Sequence, residues 1–226
     1  MIAKRLDWDS DFFGFEIGEI SFSSDESIGN SENFKLLVIK SGNDFEVLID
    51  GFENCFSEIK IVFEKELSLI NSQNTSIYPI DETEYDINDL YELAYESGKK
   101  SRFVLDKNFK NENFKKLYRK WVDNSISKEI AEDVLIYKEN KQIMGFVTYK
   151  INESFGTIGL IAVSAAHQGK GIGNKLLSFV ENRIFSNGIT KLVIPTQLSN
   201  NTACNFYKKQ NYTIQQKLFI KHYWKK

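Results

Sequence analysis

The sequence predicts an α/β fold of the α+β kind: a mixed, mostly antiparallel sheet flanked by helices, with a smaller α/β unit ahead of it. Three observations carry that expectation. Short apolar runs alternate with polar stretches over the first 70 residues, and three β-rich runs follow one another between 134 and 164. Then QGKGIGNKLL, from Gln168 to Leu177, places glycines at every second position ahead of an apolar, helix-like run.

In chain order, EIGEISF (16–22), KLLVIK (35–40) and EIKIVFEKEL (58–67) have the character of strands, and the mixed segment from about Asp44 to Cys55 is expected to be helical. The polar NSQNTS (71–76) is the clearest composition shift, so residues 1–74 are expected to form a small α/β unit and 75–226 a larger domain. Leu90, Leu93 and Ala94 share a helical face within 86–100, as do Phe114, Leu117, Tyr118, Trp121 and Val122 within 113–125. VLIYKE (134–139), QIMGFVTYKI (142–151) and GTIGLIAVS (156–164), separated by the turn-forming ENK and NESF, predict an antiparallel meander. The helix after the glycines is supported by Ile172, Leu176, Leu177, Val180 and Ile184 on one face. A strand and a short helix follow in KLVIPTQLSNNTACNFYKKQNY (191–212), and the basic, aromatic KLFIKHYWKK (217–226) is expected to be the last strand. Trp8, Phe12, Phe13 and Phe15 are expected to pack as core, with Asp7 and Asp9 as turn formers and no metal site.

Composition narrows the function. Lys and Arg number 29 against 31 Asp and Glu, a net charge of −2, which removes the electrostatic basis of a dedicated nucleic-acid binder. No apolar run approaches the roughly 18 to 20 residues of a membrane-spanning helix. Two cysteines, Cys55 and Cys204, and no apolar amino-terminal run fit a reducing compartment, so a cytoplasmic protein is expected. With 14% aromatic residues and two prolines in 226, the chain has the makings of a packed core.

The glycine stretch carries the chemistry. A strand ending at Val163, a turn, close glycines and a helix make an anion cradle, because exposed N–H groups and the helix dipole both favour negative charge. Gly169, Gly171 and Gly173 let the backbone approach a ligand closely. A dinucleotide fingerprint would need glycine where Asn174 stands, and the Walker A pattern is absent. A plain strand-to-helix turn is the competing explanation. Downstream, offsets of three and seven put Asn200, Ala203 and Tyr207 on one helical face.

These two segments resemble the GNAT superfamily of acetyl-CoA-dependent N-acetyltransferases. The pyrophosphate loop [QR]-x-x-G-x-[GA] reads Gln168, Gly169, Lys170, Gly171, Ile172, Gly173, and N-x-x-A-x-x-x-Y-x-x-x-G-F reads Asn200 through Tyr212, with Asn211 in place of glycine and Tyr212 in place of Phe. The resemblance implies acetyl-CoA as cosubstrate and no metal. It implies that the amides from Gln168 to Gly173 hold the coenzyme pyrophosphate and that the strand end Ile161, Ala162, Val163 pairs with the pantetheine arm. Asn200 would bond an amide of that arm, or cap its helix, or both. Tyr207 would protonate the departing thiolate; its alternative is a half-buried core aromatic.

A narrower resemblance, to bacterial dTDP-fucosamine N-acetyltransferases of cell-surface glycan synthesis, is carried by LDWDSDFFG (6–14), SRF (101–103), LYRKWVDNS (117–125) and TQLSN (196–200). It implies an incomplete amino-terminal GNAT-like domain beside a full one, a homodimer, and a nucleotide-linked amino-sugar as the small-molecule partner. Phe206 stands where that family has an Arg. Ser101, Arg102 and Phe103 lie between the two expected helices, where an Arg can chelate a diphosphate and a Phe can stack on a base; a surface ion pair and a core Phe stand as the alternative. No residue presents itself as the general base. Cys204 lacks a convergent His, so direct attack by the amine is expected rather than an acyl-enzyme. A peptide, polyamine or aminoglycoside acceptor, or a non-catalytic acetyl-CoA-binding module, remains as a rival.

Overall fold

The structure, a computed structural model, describes residues 1–23, 28, 29, 31–69 and 76–226. The expected domain boundary after residue 74 therefore lies outside the described residues. The chain begins with β1 (Lys4–Arg5), α1 (Asp7–Phe13), β2 (Ile17–Ser21), β3 (Leu36–Ser41) and the long β4 (Phe52–Glu66). After β5 (Ile77–Pro79) come α2 (Ile87–Gly98), α3 (Arg102–Leu105) and α4 (Asn111–Ile126). The meander β6 (Asp133–Glu139), β7 (Gln142–Ile151) and β8 (Gly156–Val163) leads to α5 (Ile172–Ser186), β9 (Lys191–Gln197), α6 (Asn201–Lys209) and β10 (Thr213–Lys225).

Among the described residues the strands form one sheet in the order β1-β2-β3-β10-β4-β9-β8-β7-β6-β5. The pairs β2/β3 and β8/β9 are parallel and the rest antiparallel. Two insertions matter for the site. β10 lies between β3 and β4, and β4 lies against β9, so strands from both ends of the chain are laced together.

Both faces of the sheet are covered, which explains the unbroken apolar runs of β6 and β7. Val134, Ile136 and Phe146 pack with Leu90, Leu93, Leu117 and Val122 of α2 and α4 on one face. Leu135, Tyr137 and Val147 pack with Leu176, Leu177, Val180 and Ile184 of α5 on the other. A third apolar cluster, Ile20, Leu37, Ile39, Phe45, Phe52 and Tyr223, backs the amino-terminal strands. The β6–β7 turn holds Asn140 and Lys141 at φ 50° and 66°, the doubly left-handed two-residue turn whose twist matches its strands. Asp86 caps α2 by accepting the Asn88 N–H at 2.9 Å.

Three local expectations are corrected. The segment 44–55 is not helical: 44–49 is irregular, and 52–55 opens β4. Phe45, Val47 and Ile49 recur at every second residue and all three reach the third apolar cluster, a period that a helix cannot serve. Asp7 and Asp9 are not in a turn but in the first turn of α1, where their charge complements the helix dipole, and Gly14 ends that helix at φ 75°. Of the aromatic residues beside them, Phe13 packs inward 5.7 Å from Phe103 and 4.9 Å from Phe109, and Phe15 5.4 Å from Trp224, ring centre to ring centre, but Trp8 is not core: it stacks on Phe12 with much of its surface exposed.

Candidate active site

The site begins with a defect in the sheet. β8 and β9 pair only at Gly156 with Leu192 and Thr157 with Val193. Beyond these residues the two strands part, and β8 from 158 to 163 pairs only with β7, on its far side, among the described residues. The register slips there as well, with the Leu160 N–H donating to Thr148 Oγ1 at 2.9 Å. A cleft of about 540 Å³ occupies the gap. It runs from Asn200, Ala203 and Tyr207 of α6, between residues 158–161 of β8 and 194–197 of β9, to Trp8, Ser101, Arg102, Phe103 and Trp121 on the opposite face.

At the α6 end, Asn200 Oδ1 accepts the Ala203 N–H at 3.2 Å, so the residue caps its helix while also lining the cleft. Tyr207 is buried, its ring packed against Phe63, Phe206 and Tyr212. Burial pushes the Tyr207 phenol well above its ordinary value, with the neighbouring Cys204 adding to the effect, so it is protonated throughout the physiological range. Cys204 is buried with its thiol raised by desolvation, and its sulfur lies 3.6 and 3.7 Å from the Gln197 and Leu198 carbonyl oxygens. That environment opposes thiolate formation.

From Val163 the chain passes through a short 3₁₀ turn, Ala165–His167, into the glycine loop. Gln168 Nε2 bonds the Val163 carbonyl at 3.1 Å, and Gly169 and Gly171 hold φ of 78° and 79°. Those left-handed values favour glycine and turn the backbone into the start of α5, whose first-turn amides have no partner within the helix. Lys170 is exposed beside them, whereas Ile172 is buried and anchors the loop. Gly173 faces Phe206, to whose ring an added Cβ would stand 3.5 Å.

The other half of the cleft is charged. Glu58 and Lys60 project from one face of β4, two residues apart, joined by Lys40 of β3, Asp9 of α1 and Arg102 of α3. Glu58 Oε2 is buried and has no hydrogen-bond partner. Desolvation raises the Glu58 carboxyl, although Arg102 and Lys60 pull it the other way. Desolvation also lowers the Lys60 ammonium, reinforced by repulsion from Arg102 and Lys40. Phe103 lies at the wall but is enclosed, with the Arg102 guanidinium 4.9 Å from its ring centre and Phe13, Phe109 and Trp121 against it.

Residues 85–212 match the model of the Acetyltransferase (GNAT) family, more than half of the chain. The chain belongs to the GNAT family. GNAT acetyltransferases use acetyl-CoA as cosubstrate. Over 133 residues it is 24% identical to the spore coat polysaccharide biosynthesis protein SpsD of Bacillus subtilis, a match covering 59% of this chain and 46% of that protein. The chain thus spans less than half the length of that curated relative. Its fold is similar to that of a GNAT-family protein of Novosphingobium aromaticivorans, with a TM-score of 0.59, 9% identity and coverage of 84% and 74% of the two chains. It is also similar to the PaiA N-acetyltransferase of Thermoplasma acidophilum, crystallised with coenzyme A, with a TM-score of 0.51, 18% identity and coverage of 67% and 100%.

In this GNAT frame the residues singled out from sequence fall into two places. Ile161, Asn200, Tyr207, Ser101, Arg102 and Phe103 line the cleft itself. Ala162 and Val163 continue β8 away from it, toward the exposed loop formed by Gln168, Gly169, Lys170 and Gly171 and the first helical residues Ile172 and Gly173. Lys40, Glu58 and Lys60 were missed altogether, and Trp8 and Asp9, read as core and as a turn former, line the cleft instead. A signal for two of them existed: Glu58 and Lys60 alternate with Ile59 and Ile61, an odd pair of charges in a strand that lies mid-sheet.

Proposed function

We propose that the chain transfers the acetyl group of acetyl-CoA to the amine of a nucleotide-linked amino-deoxysugar, of the dTDP-4-amino-4,6-dideoxyhexose type, in the cytoplasmic synthesis of a cell-surface glycan. The observation that carries this reading is the divided character of the cleft. One half offers a strand edge and a buried phenol suited to a thioester arm, and the other offers Lys40, Lys60 and Arg102 against Asp9 and Glu58. A polyamine or aminoglycoside would be favoured by the opposite balance of charge. The naming of the Bacillus subtilis relative for polysaccharide biosynthesis supports the same direction. In this reading residues 1–74 are an incomplete GNAT-like unit that furnishes the acceptor wall, and 75–226 are the GNAT domain proper.

Each residue then has a task. The amides from Gln168 to Gly173 hold the pyrophosphate, with Lys170 beside them; the edge of β8 from Ile161 to Val163 aligns the pantetheine arm; and the Asn200 side-chain amide fixes one of its peptide groups. A backbone N–H near the end of β8 faces the carbonyl oxygen as negative charge develops. The acceptor amine forms its C–N bond as the C–S bond breaks. Glu58 takes the proton that the amine loses, directly or through a water, since its buried Oε2 has no hydrogen-bond partner and its affinity for protons is raised. Tyr207 gives a proton to the departing sulfur and regains one from solvent, leaving amide and free thiol. Ser101, Arg102 and Phe103 shape the acceptor side.

Release of free thiol from acetyl-CoA tests the proposal, with dTDP- and UDP-linked amino-sugars, a polyamine and a peptide amine as acceptors. Turnover confined to the nucleotide-linked sugars is the expected result. Turnover of the polyamine or peptide alone would move the acceptor class, and binding of acetyl-CoA with no thiol released on any amine would identify a binding module.

A further inference from the structure

Elsewhere among the described residues, enclosed lysines meet carboxylates, and so does the more exposed Arg5. Lys65 meets Glu181 at 2.9 Å, Lys221 meets Glu46 at 2.6 Å, and Arg5 is bracketed by Asp7, Asp11 and Glu16. Lys40, at the cleft, pairs with Glu19. Lys60 and Arg102 break the pattern: among the described residues neither has a carboxylate within ion-pair distance, although both line the cleft and repel one another across it. The two half-buried cations repel one another, and the cleft carboxylates Glu58 and Asp9 act on them only from beyond ion-pair distance, so a dianionic group between them relieves both desolvation and repulsion. The aromatic surface beside them is Trp8, not Phe103. One face of the Trp8 indole stacks on Phe12 at 5.0 Å with an interplanar angle of 8°, while 44% of the residue remains exposed at the cleft mouth.

We propose that Lys60 and Arg102 clamp the diphosphate of the acceptor and that the open face of Trp8 carries its nucleoside base. The inference rests on the nucleotide-sugar reading of the acceptor and extends it to two residues of the amino-terminal part. It gives that part a function in recognition: α1 supplies the stacking platform and β4 one arm of the clamp, with α3 of the GNAT domain as the other. Arg offers a planar fork for two phosphate oxygens and Lys a point charge, so a diphosphate is matched better than a single carboxylate. Stacking on one indole face is tolerant of the base, so the clamp sets the ligand class and leaves the choice of base to contacts at its edges.

Three probes separate the parts: dTDP, inorganic pyrophosphate and thymidine, each measured by calorimetry and as an inhibitor competitive with the acceptor and not with acetyl-CoA. Lys60→Met and Arg102→Met are each expected to weaken dTDP and pyrophosphate by tenfold or more, the scale of a lost charge-assisted hydrogen bond. Trp8→Ala is expected to weaken dTDP by a similar factor and leave pyrophosphate unmoved, with Trp8→Phe restoring most of the loss. The Michaelis constant for acetyl-CoA should not change in any of them, which separates a lost clamp from a damaged fold. Unchanged dTDP and pyrophosphate binding in both cation variants would overturn the clamp, even if the wild-type protein acetylates nucleotide sugars. If the wild-type protein acetylates none, the acceptor reading fails on its own, while the calorimetric comparison still decides whether Lys60, Arg102 and Trp8 hold a nucleoside diphosphate.

Discussion

His222 Nδ1 lies 2.7 Å from Asp106 Oδ2, with both side chains fully buried. Trp224 Nε1 donates to the same oxygen at 2.9 Å, and the Asn108 N–H to Oδ1 at 3.0 Å. Since Asp106 follows directly on α3, this knot ties the short helix bearing Arg102 to the middle of the sheet. Burial by itself would raise the Asp106 carboxyl, but the bonds from His222, Trp224 and Asn108 outweigh it and hold it below its ordinary value. Burial lowers the His222 imidazole despite the carboxylate, with Arg102 and Lys40 adding to the effect and Asp106 opposing it. The folded pair is therefore an ionised Asp and a neutral His that donates through Nδ1. Both groups bind more protons unfolded than folded, so both contribute stability that rises with pH. The contribution is full above the ordinary imidazole value of 6.5 and declines as pH falls below it, then falls again through the carboxylate range. Urea midpoints at pH 8, 6.5 and 5 should drop in that order, and His222→Leu should cost about 1.5 to 3 kcal/mol at pH 8, the loss of one hydrogen bond to a buried carboxylate that keeps those from Trp224 and Asn108.

Tyr207→Phe removes one hydroxyl from a ring already fixed by Phe63, Phe206 and Tyr212. Turnover should fall roughly 100-fold or more, as for loss of a general acid. Affinity for acetyl-CoA and the thermal midpoint should stay near wild type. Undiminished thiol release would take Tyr207 out of the mechanism.

Glu58 must be ionised to accept a proton, so activity should fall as pH drops through its value, which desolvation raises above the usual carboxylate range. Arg102 and Lys60 face it and moderate that rise; Asp9, Lys40, Tyr118 and Tyr207 complete the titratable lining. The acid limb of kcat/KM should therefore lie above about 4.3. In Glu58→Gln the limb should vanish and the plateau fall about 100-fold. A variant that keeps the wild-type limb would assign it to another group.

Gly171→Ala places a Cβ in open space, with nothing within 4 Å, but at φ 79°. The cost in the free protein is backbone strain of about 1 to 2 kcal/mol, a drop of a few degrees in the thermal midpoint. The methyl group also stands where a phosphate would approach. The Michaelis constant for acetyl-CoA should rise severalfold while that for the acceptor holds, a split visible in initial-rate kinetics.

What was legible in the sequence was local. The meander of β6 to β8 announced itself through apolar runs broken by turn residues, and the glycine loop through residues that only a left-handed backbone requires at Gly169 and Gly171. Asn200, Ala203 and Tyr207 were found because one short helix brings them together. The segment 44–49 misled because the alternation of Phe45, Val47 and Ile49 runs over only three apolar positions, too few to stand out. Glu58 and Lys60 escaped because their meaning depends on β4 crossing to lie between β9 and β10, and Asp106 with His222 because the partners are 116 residues apart. The 116-residue separation leaves no pattern within any window of sequence, and the alternation of Glu58 and Lys60 with Ile59 and Ile61 does not by itself say that a cleft faces them.

The insertion of β10 between β3 and β4 has a consequence for the order in which the molecule can be built. The strands that frame the acceptor wall are synthesised early, yet their common neighbour, residues 213–225, emerges after every other element described. Until then β3 and β4 each carry an open edge, and pairing them requires closing a loop through almost the whole chain, which slows folding. Those edges are templates for strand addition in the meantime. A nascent chain released before residue 213 would hold its glycine loop and Tyr207 but leave β3 and β4 unjoined, and aggregation through those edges is its expected fate.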